Sequence, residues 1–169
     1  MFESQTGSKL IVGIADMKLS DNPEHVVITY ALGSCLGITA HDPVARVGGL
    51  VHVMTPSSTL DPPRALRAPA TYVDTGVSLL INECLRLGAQ KARIVLVAAG
   101  GAERGDGGSD MFQIGRRNFV ALRQALWKLG IILRRHDVGG HHPRTMSLAI
   151  GSGEVGIVST GHMAQQPAA

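Results

Sequence analysis

Between residues 10 and 54 four apolar or β-branched runs, Leu10–Ala15, Val26–Tyr30, Leu36–Ala40 and Val47–Met54, follow one another with turn-forming residues between them. Runs this short and this rich in Val, Ile and Leu read as strands rather than helices, which demand a longer 3.6-residue stripe. Asp42-Pro43 lies between the third and fourth runs and predicts a hairpin there. The pattern then changes. Val73, Val77, Leu80, Ile81, Cys84 and Leu87 fall on one helical face that Gly88 ends. Arg93–Ala98 is a further strand running into Gly100-Gly101, and a second helix spans Gly115–Leu129 with Phe119, Leu122, Leu126 and Leu129 inward and Gly130 as its stop. Ile131–Arg135 is again strand-like, and Met146–Ile150 with Val155–Ser159 forms a last hairpin around Gly151-Ser152-Gly153. Many strands with two main helices predict an α+β fold, its helices packed on one side of the sheet structure.

A chain of 169 residues is one domain's worth. The expected division is a frayed N-terminus over 1–8, a single domain over 9–160 and a disordered tail over 161–169, because both ends are small, polar and aperiodic. Pro56–Pro69, rich in proline, reads as a surface loop. An apolar fraction of 44% against 17% charged residues excludes wholesale disorder. The net charge of +3 comes from scattered Lys and Arg, with Arg116-Arg117 and Arg134-Arg135 the densest pairs, so neither a nucleic-acid-binding nor a membrane-binding basic patch is expected. Aromatic residues make up only 4%, which argues against a base-stacking platform. No run approaches the roughly 18 apolar residues of a membrane span, and the first residues do not read as a signal peptide. Membrane insertion is therefore not expected, and the expected compartment is the cytoplasm, where Cys35 and Cys84 stay thiols.

The sharpest local feature is Thr29-Tyr-Ala-Leu-Gly-Ser-Cys35-Leu-Gly37. A cysteine sits among glycines where one strand pattern ends and the next begins, a turn that lets its sulfur project. Backbone N–H groups around Gly33, Ser34 and Cys35 can there form an oxyanion hole. A free thiol is only a few per cent ionised at neutral pH, so nucleophilic work requires a base. His52, inside the apolar strand Val47–Met54, is the best supplier. The residues alone leave two readings open: a Cys35–His52 catalytic pair, or a small buried cysteine and a satisfied core histidine. Cys84, on the apolar helix face, reads as core. The glycines of 100–108 lack the Gly-Lys-Ser/Thr ending of a phosphate loop and read as a flexible or site-lining loop. Gly151–Gly156 matches the dinucleotide fingerprint by letter but lies in a hairpin with no room for a crossover helix. His136, His141 and His142 with Asp137 fit no standard zinc spacing and read as a solvated loop, so no metal is expected.

Taken in order, Leu32-Gly-Ser-Cys35, Asp42-Pro43, His52-Val-Met54, Tyr72-Val-Asp74 and Gly100-Gly101-Ala102 resemble the chemoreceptor glutamine deamidases of bacterial chemotaxis, the CheD family. The resemblance continues through Met111-Phe112, Ile114-Gly115-x-Arg117-Asn118 and Asp137-x-Gly139-Gly140 to near Arg144, spanning about residues 10–160. It implies a layered α/β sandwich with mixed or antiparallel sheets, similar to toxin-type cysteine deamidases. It implies a cysteine hydrolase converting receptor glutamine side chains to glutamate, with Thr29 completing the Cys35–His52 pair and Ser34 and Gly33 at the oxyanion. No cofactor or metal is implied. The implied partners are the cytoplasmic region of a chemoreceptor and a CheC-type phosphatase. Two alternatives accompany this reading: a non-catalytic module that regulates such a phosphatase, and a receptor methylesterase or cysteine peptidase using the same pair. Two stretches depart from the family pattern, an insertion-like Glu103–Gly108 and the proline-rich Pro56–Pro69.

Overall fold

A computed structural model of the chain describes residues 7–103 and 113–159. Nine strands and three α-helices are found among them: β1 (Ser8–Ile11), β2 (Met17–Ser20), β3 (His25–Leu32), β4 (Leu36–Asp42), β5 (Val47–Val53), α1 (Pro62–Arg67), α2 (Val73–Arg86), β6 (Val95–Gly100), α3 (Ile114–Leu129), β7 (Leu133–Val138), β8 (Arg144–Ala149) and β9 (Val155–Ser159). They build two mixed sheets, a four-stranded one in the order β1-β3-β8-β9 and a five-stranded one in the order β2-β5-β4-β6-β7. β1 runs parallel to β3 and β6 parallel to β7, while the other neighbours are antiparallel.

Every residue of β4 and β5 is buried, because the five-stranded sheet is covered on both faces. Alternate residues take opposite sides. Leu36, Ile38, Val51 and Val53 meet Val77, Leu80 and Ile81 of α2 and Leu122 and Leu126 of α3 in one core. From the other face, Leu50, Val97 and Ala99 meet Val27, Leu32, Met146 and Leu148 of the four-stranded sheet in a second core. The result is a helix layer, a five-stranded sheet and a four-stranded sheet, with both main helices on one side as expected.

The structure corrects several expectations. Ser8, placed in a frayed N-terminus, pairs with His25 as the first residue of β1; residues 1–6 and the tail from 160 onward lie outside the described residues. The first strand stops at Ile11, and the chain then turns, with Ala15 at φ 56°, into the unforeseen β2. Pro56–Pro69 is not plain loop. Asp61 caps α1 by accepting from the Arg64 N–H, and Pro62 occupies the first helical position, where its missing donor costs nothing. Asp74 accepts from both the N–H and the hydroxyl of Ser58, tying this stretch to α2. Leu87 is 43% exposed rather than inward, since α2 ends at Arg86 and Leu87 caps it with non-helical backbone angles. The strand expected from Ile131 begins at Leu133.

Candidate active site

β3 belongs to the four-stranded sheet and β4 to the five-stranded one, so Gly33-Ser34-Cys35 is the link by which the chain crosses between layers. Ahead of it the β3–β8 register shifts between Thr29 and Leu32, and Ala31 lies in the left-handed region at φ 56°. A bulge there re-aims the strand end into the link. All three carbonyls of the link are held. Gly33 C=O accepts from the Ala102 N–H at 2.8 Å, Cys35 C=O from the Gly101 N–H at 2.8 Å, and Ser34 C=O from Asn118 Nδ2 on α3 at 3.0 Å. The approach of Gly100 demands glycine: at φ 111°, a Cβ there would lie 2.2 Å from the Cys35 carbonyl oxygen. Among the described residues, neither the Ser34 nor the Cys35 N–H donates to another residue. Cys35 itself is half-buried; burial pushes its thiol up from the ordinary value, and its own backbone N–H pulls in the opposite direction.

His52 faces the inter-sheet layer from β5, opposite the side-chain-free Gly37 of β4. Its main chain is pinned by hydrogen bonds to Asp16 and Ala15 in the turn before β2. Its Nδ1 lies 2.8 Å from Thr29 Oγ1, and that hydroxyl also lies 2.8 Å from the Val12 carbonyl oxygen. A carbonyl can only accept, so the single hydroxyl proton goes to Val12 and the oxygen must accept from Nδ1–H. The network thereby fixes the tautomer: the proton sits on Nδ1 and the lone pair on Nε2. That Nε2 is buried and has no hydrogen-bond partner. Burial lowers the His52 pKa below its ordinary value. The arrangement is a neutral imidazole with an unengaged basic nitrogen and a neutral thiol in the adjoining link, next to two unoccupied N–H donors.

The structure thus brings Thr29 and His52 into direct contact and sets Gly33, Ser34 and Cys35 in the link just before Gly37, the residue that pairs with His52. Cys84 is elsewhere, packed among Val77, Leu80 and Leu122 in the helix-side core, where burial pushes its thiol up to about 12. His136 rests against Phe119 at a ring-centroid distance of 5.0 Å, His141 Nδ1 bonds the Glu103 carbonyl, and Asp137 pairs with Arg144. These groups do not converge, and among the described residues no cluster of three His, Cys, Asp or Glu could hold a metal ion. Of the glycine-rich loop, 100–102 lines the link, whereas 104–112 lies outside the described residues.

Two residues went unassigned in the sequence. Asn118 is fully buried and donates from Nδ2 to both the Ser34 and Met54 carbonyls, each at 3.0 Å. A signal for it existed: an amide on the same helical face as Leu122 and Leu126 is a polar group that needs an inward partner. Arg144, 7% exposed, donates to the carbonyls of Gly139, His142 and Gly100 and to Asp137, so it holds the segment after β7 against the end of β6.

A family model described as CheD chemotactic sensory transduction matches residues 54–159. A probable chemoreceptor glutamine deamidase CheD of Solibacter usitatus is 44% identical over 153 residues, 90% of this chain and 90% of that protein. Probable chemoreceptor glutamine deamidase CheD 1 of Syntrophus aciditrophicus is 40% identical over 152 residues, 90% of this chain and 94% of that protein. A crystal structure of the Bacillus licheniformis hypothetical protein YfiH aligns with a TM-score of 0.45 at 15% identity, over 72% of this chain and 49% of that one, too distant a likeness to bear on chemistry. It lends no support to the expected similarity with toxin-type deamidases. Identity at this level across nine-tenths of both chains, with the family model over most of the second half, establishes that this chain belongs to the CheD family.

Proposed function

We propose that this protein is a cysteine-dependent protein-glutamine deamidase acting on chemoreceptors in bacterial chemotaxis. The observation that carries the chemistry is the buried, unpartnered Nε2 of His52, whose lone pair is fixed by the Thr29–Val12 relay beside the Cys35 link. The family's named activity supplies the substrate class.

His52 Nε2 takes the Cys35 proton as the sulfur attacks the carboxamide carbon of a glutamine side chain. The oxyanion forms beside the Ser34 and Cys35 N–H groups. The C–N bond then breaks as the imidazolium returns its proton to the leaving nitrogen, releasing ammonia and leaving a γ-glutamyl thioester. His52 next removes a proton from water, the hydroxide adds to the thioester, and collapse expels the thiolate, which is reprotonated. Carboxamide plus water thus gives glutamate plus ammonia, with no electrons gained or lost. Thr29 holds the imidazole in its tautomer throughout, as the third member of a triad does.

The layered sandwich is that of toxin-type cysteine deamidases in this reading. The partners are a chemoreceptor cytoplasmic region and a CheC-type phosphatase, and the compartment is the cytoplasm. Intact-mass and ammonia assays of a chemoreceptor cytoplasmic fragment test it. The protein adds about one dalton per converted glutamine and releases ammonia, and Cys35→Ala does neither. A wild-type protein that binds the fragment or the phosphatase without a mass change overturns the enzyme in favour of a binding module; a cleaved chain points to a peptidase.

A further inference from the structure

The buried amide of Asn118 is placed where it controls one of the two peptides whose N–H groups face the oxyanion. Its Nδ2 has two hydrogens, and each meets a carbonyl at 3.0 Å: that of Ser34, one peptide before the nucleophile, and that of Met54, two residues beyond His52. One side chain of α3 thus spans the link and the end of β5, the two segments that must keep a fixed separation for proton transfer. The orientation of the amide is not arbitrary. Turned over, its oxygen would face two carbonyl oxygens, so the two acceptors assign the nitrogen to them. The price is that Oδ1 is buried with no partner, a loss that cores rarely tolerate without a reason.

The reason lies in peptide geometry. The described chain has no cis peptide, so the C=O of Ser34 and the N–H of Cys35, which share one plane, point in opposite directions. Drawing the Ser34 carbonyl toward α3 turns the Cys35 N–H away from α3 and toward its own sulfur, the contact that also favours the Cys35 thiolate. The Gly33 and Cys35 carbonyls are held by Ala102 and Gly101, which leaves the Ser34–Cys35 peptide to Asn118 alone. We infer that Asn118 is a positioning residue for the oxyanion site: it aims the Cys35 N–H at the developing charge without touching the substrate. The inference rests on the deamidase reading above.

The test separates aim from fold and from thiol ionisation. Asn118→Asp keeps the shape but has at most one O–H to donate, and none when ionised. With a chemoreceptor cytoplasmic fragment as substrate, kcat for ammonia release falls about 100-fold while KM stays within about twofold, since a lost or misaimed oxyanion donor acts on the transition state. Because the same N–H favours the thiolate, alkylation of Cys35 by iodoacetamide slows in the variant, but by less than about tenfold, since it forms no oxyanion. Unchanged kcat overturns the inference, and so does alkylation slowed as much as kcat. Should the variant not fold, the wild-type protein still decides. A glutamine-analogue peptide aldehyde adds to Cys35 as a hemithioacetal, and its oxygen must move the Cys35 amide resonance downfield and, through the polarised Ser34–Cys35 peptide, an Asn118 side-chain amide resonance with it; if either stays unmoved the assignment falls. Ammonia release that survives Cys35→Ala would instead remove Cys35 as the nucleophile, and with it the reading on which the inference rests.

Discussion

Replacing Thr29 by valine removes one oxygen and keeps the shape, so its consequences can be worked from the hydrogen bonds it severs. The Thr29 hydroxyl donates to Val12 C=O and accepts from His52 Nδ1–H, both at 2.8 Å, and both Thr29 and His52 are out of reach of water at 0% and 1% exposure. In Thr29→Val two buried polar groups lose their partner, each at a cost of about 1–3 kcal/mol. Stability should drop by roughly 2–6 kcal/mol, which for a chain of this length lowers Tm by about 4–24 °C. The kinetic effect has a separate origin. A buried Nδ1–H without an acceptor drives the proton to Nε2 or tilts the ring, and either takes the lone pair from Cys35. A bias of about 1–3 kcal/mol is a factor of about 5–150, so kcat for ammonia release should fall about 10–100-fold at 25 °C, where the variant remains folded. Thr29→Ser retains the oxygen and loses a methyl group, about 1 kcal/mol of burial, and should return kcat to within about threefold. Ammonia release under single-turnover conditions and thermal melts followed by circular dichroism supply both numbers. Wild-type kcat in Thr29→Val, or a serine variant as slow as the valine one, would refute the relay and with it the tautomer assignment.

Burial lowers the His52 pKa, so the acid limb of kcat/KM should lie below pH 6.5, the ordinary imidazole value; a limb centred above it contradicts the neutral, buried base. The same depressed pKa means that the stability His52 contributes is fully present above pH 6.5 and is lost as pH falls toward the folded value, which pH-dependent urea melts should show. Gly100→Ala places a Cβ 2.2 Å from the Cys35 carbonyl oxygen at a backbone angle that favours glycine, and should cost at least about tenfold in kcat, since a shift near 1 Å at the nucleophile suffices for more. Alkylation at pH 7.5 under native conditions should label Cys35 and spare Cys84, which is buried and pushed up to about 12; peptide mapping that finds Cys84 labelled first would contradict the packing.

The α+β arrangement with its helices on one side was legible because short β-branched runs mark the strands and α2 and α3 carry continuous apolar stripes, whereas layering was named only by resemblance. What failed did so locally. Met17–Ser20 holds Lys18 and Ser20 and offers no apolar run, and it becomes a strand because its backbone finds the edge of β5. α1 was hidden by Pro62 and Pro63, which read as breakers although Asp61 before them is a cap. Leu87 fits the stripe of α2 by number, but the helix ends one residue earlier. In the site, Cys35 declared itself through Gly33 and Gly37, and His52 through its apolar strand. Thr29 could be named only by resemblance, because a threonine in a strand carries no mark of facing a histidine on another sheet. Asn118 was written in the stripe of α3, yet its partners are two carbonyls distant in sequence, and backbone acceptors leave no trace in side-chain identity.

The unperturbed state of the pair has a consequence for when the chemistry starts. Burial moves the Cys35 and His52 pKa values apart in the direction that keeps both groups neutral, the thiol up and the imidazole down, and no hydrogen bond joins His52 Nε2 to the sulfur. A preformed thiolate–imidazolium pair would require the reverse order of affinities for the proton. In the proposed reading, the resting site is therefore a weak nucleophile, and slow alkylation at neutral pH is its expected signature. Its donors at Ser34 and Cys35 acquire their full effect only when a carbonyl oxygen arrives and begins to carry charge. In the proposed deamidation, proton transfer from Cys35 to His52 then coincides with attack, and the substrate that supplies the oxyanion also supplies the driving force. Discrimination follows from the same point. A glutamine seated with its carboxamide oxygen between those N–H groups turns the reaction on, while one held by the same surface slightly out of register leaves the thiol protonated and survives.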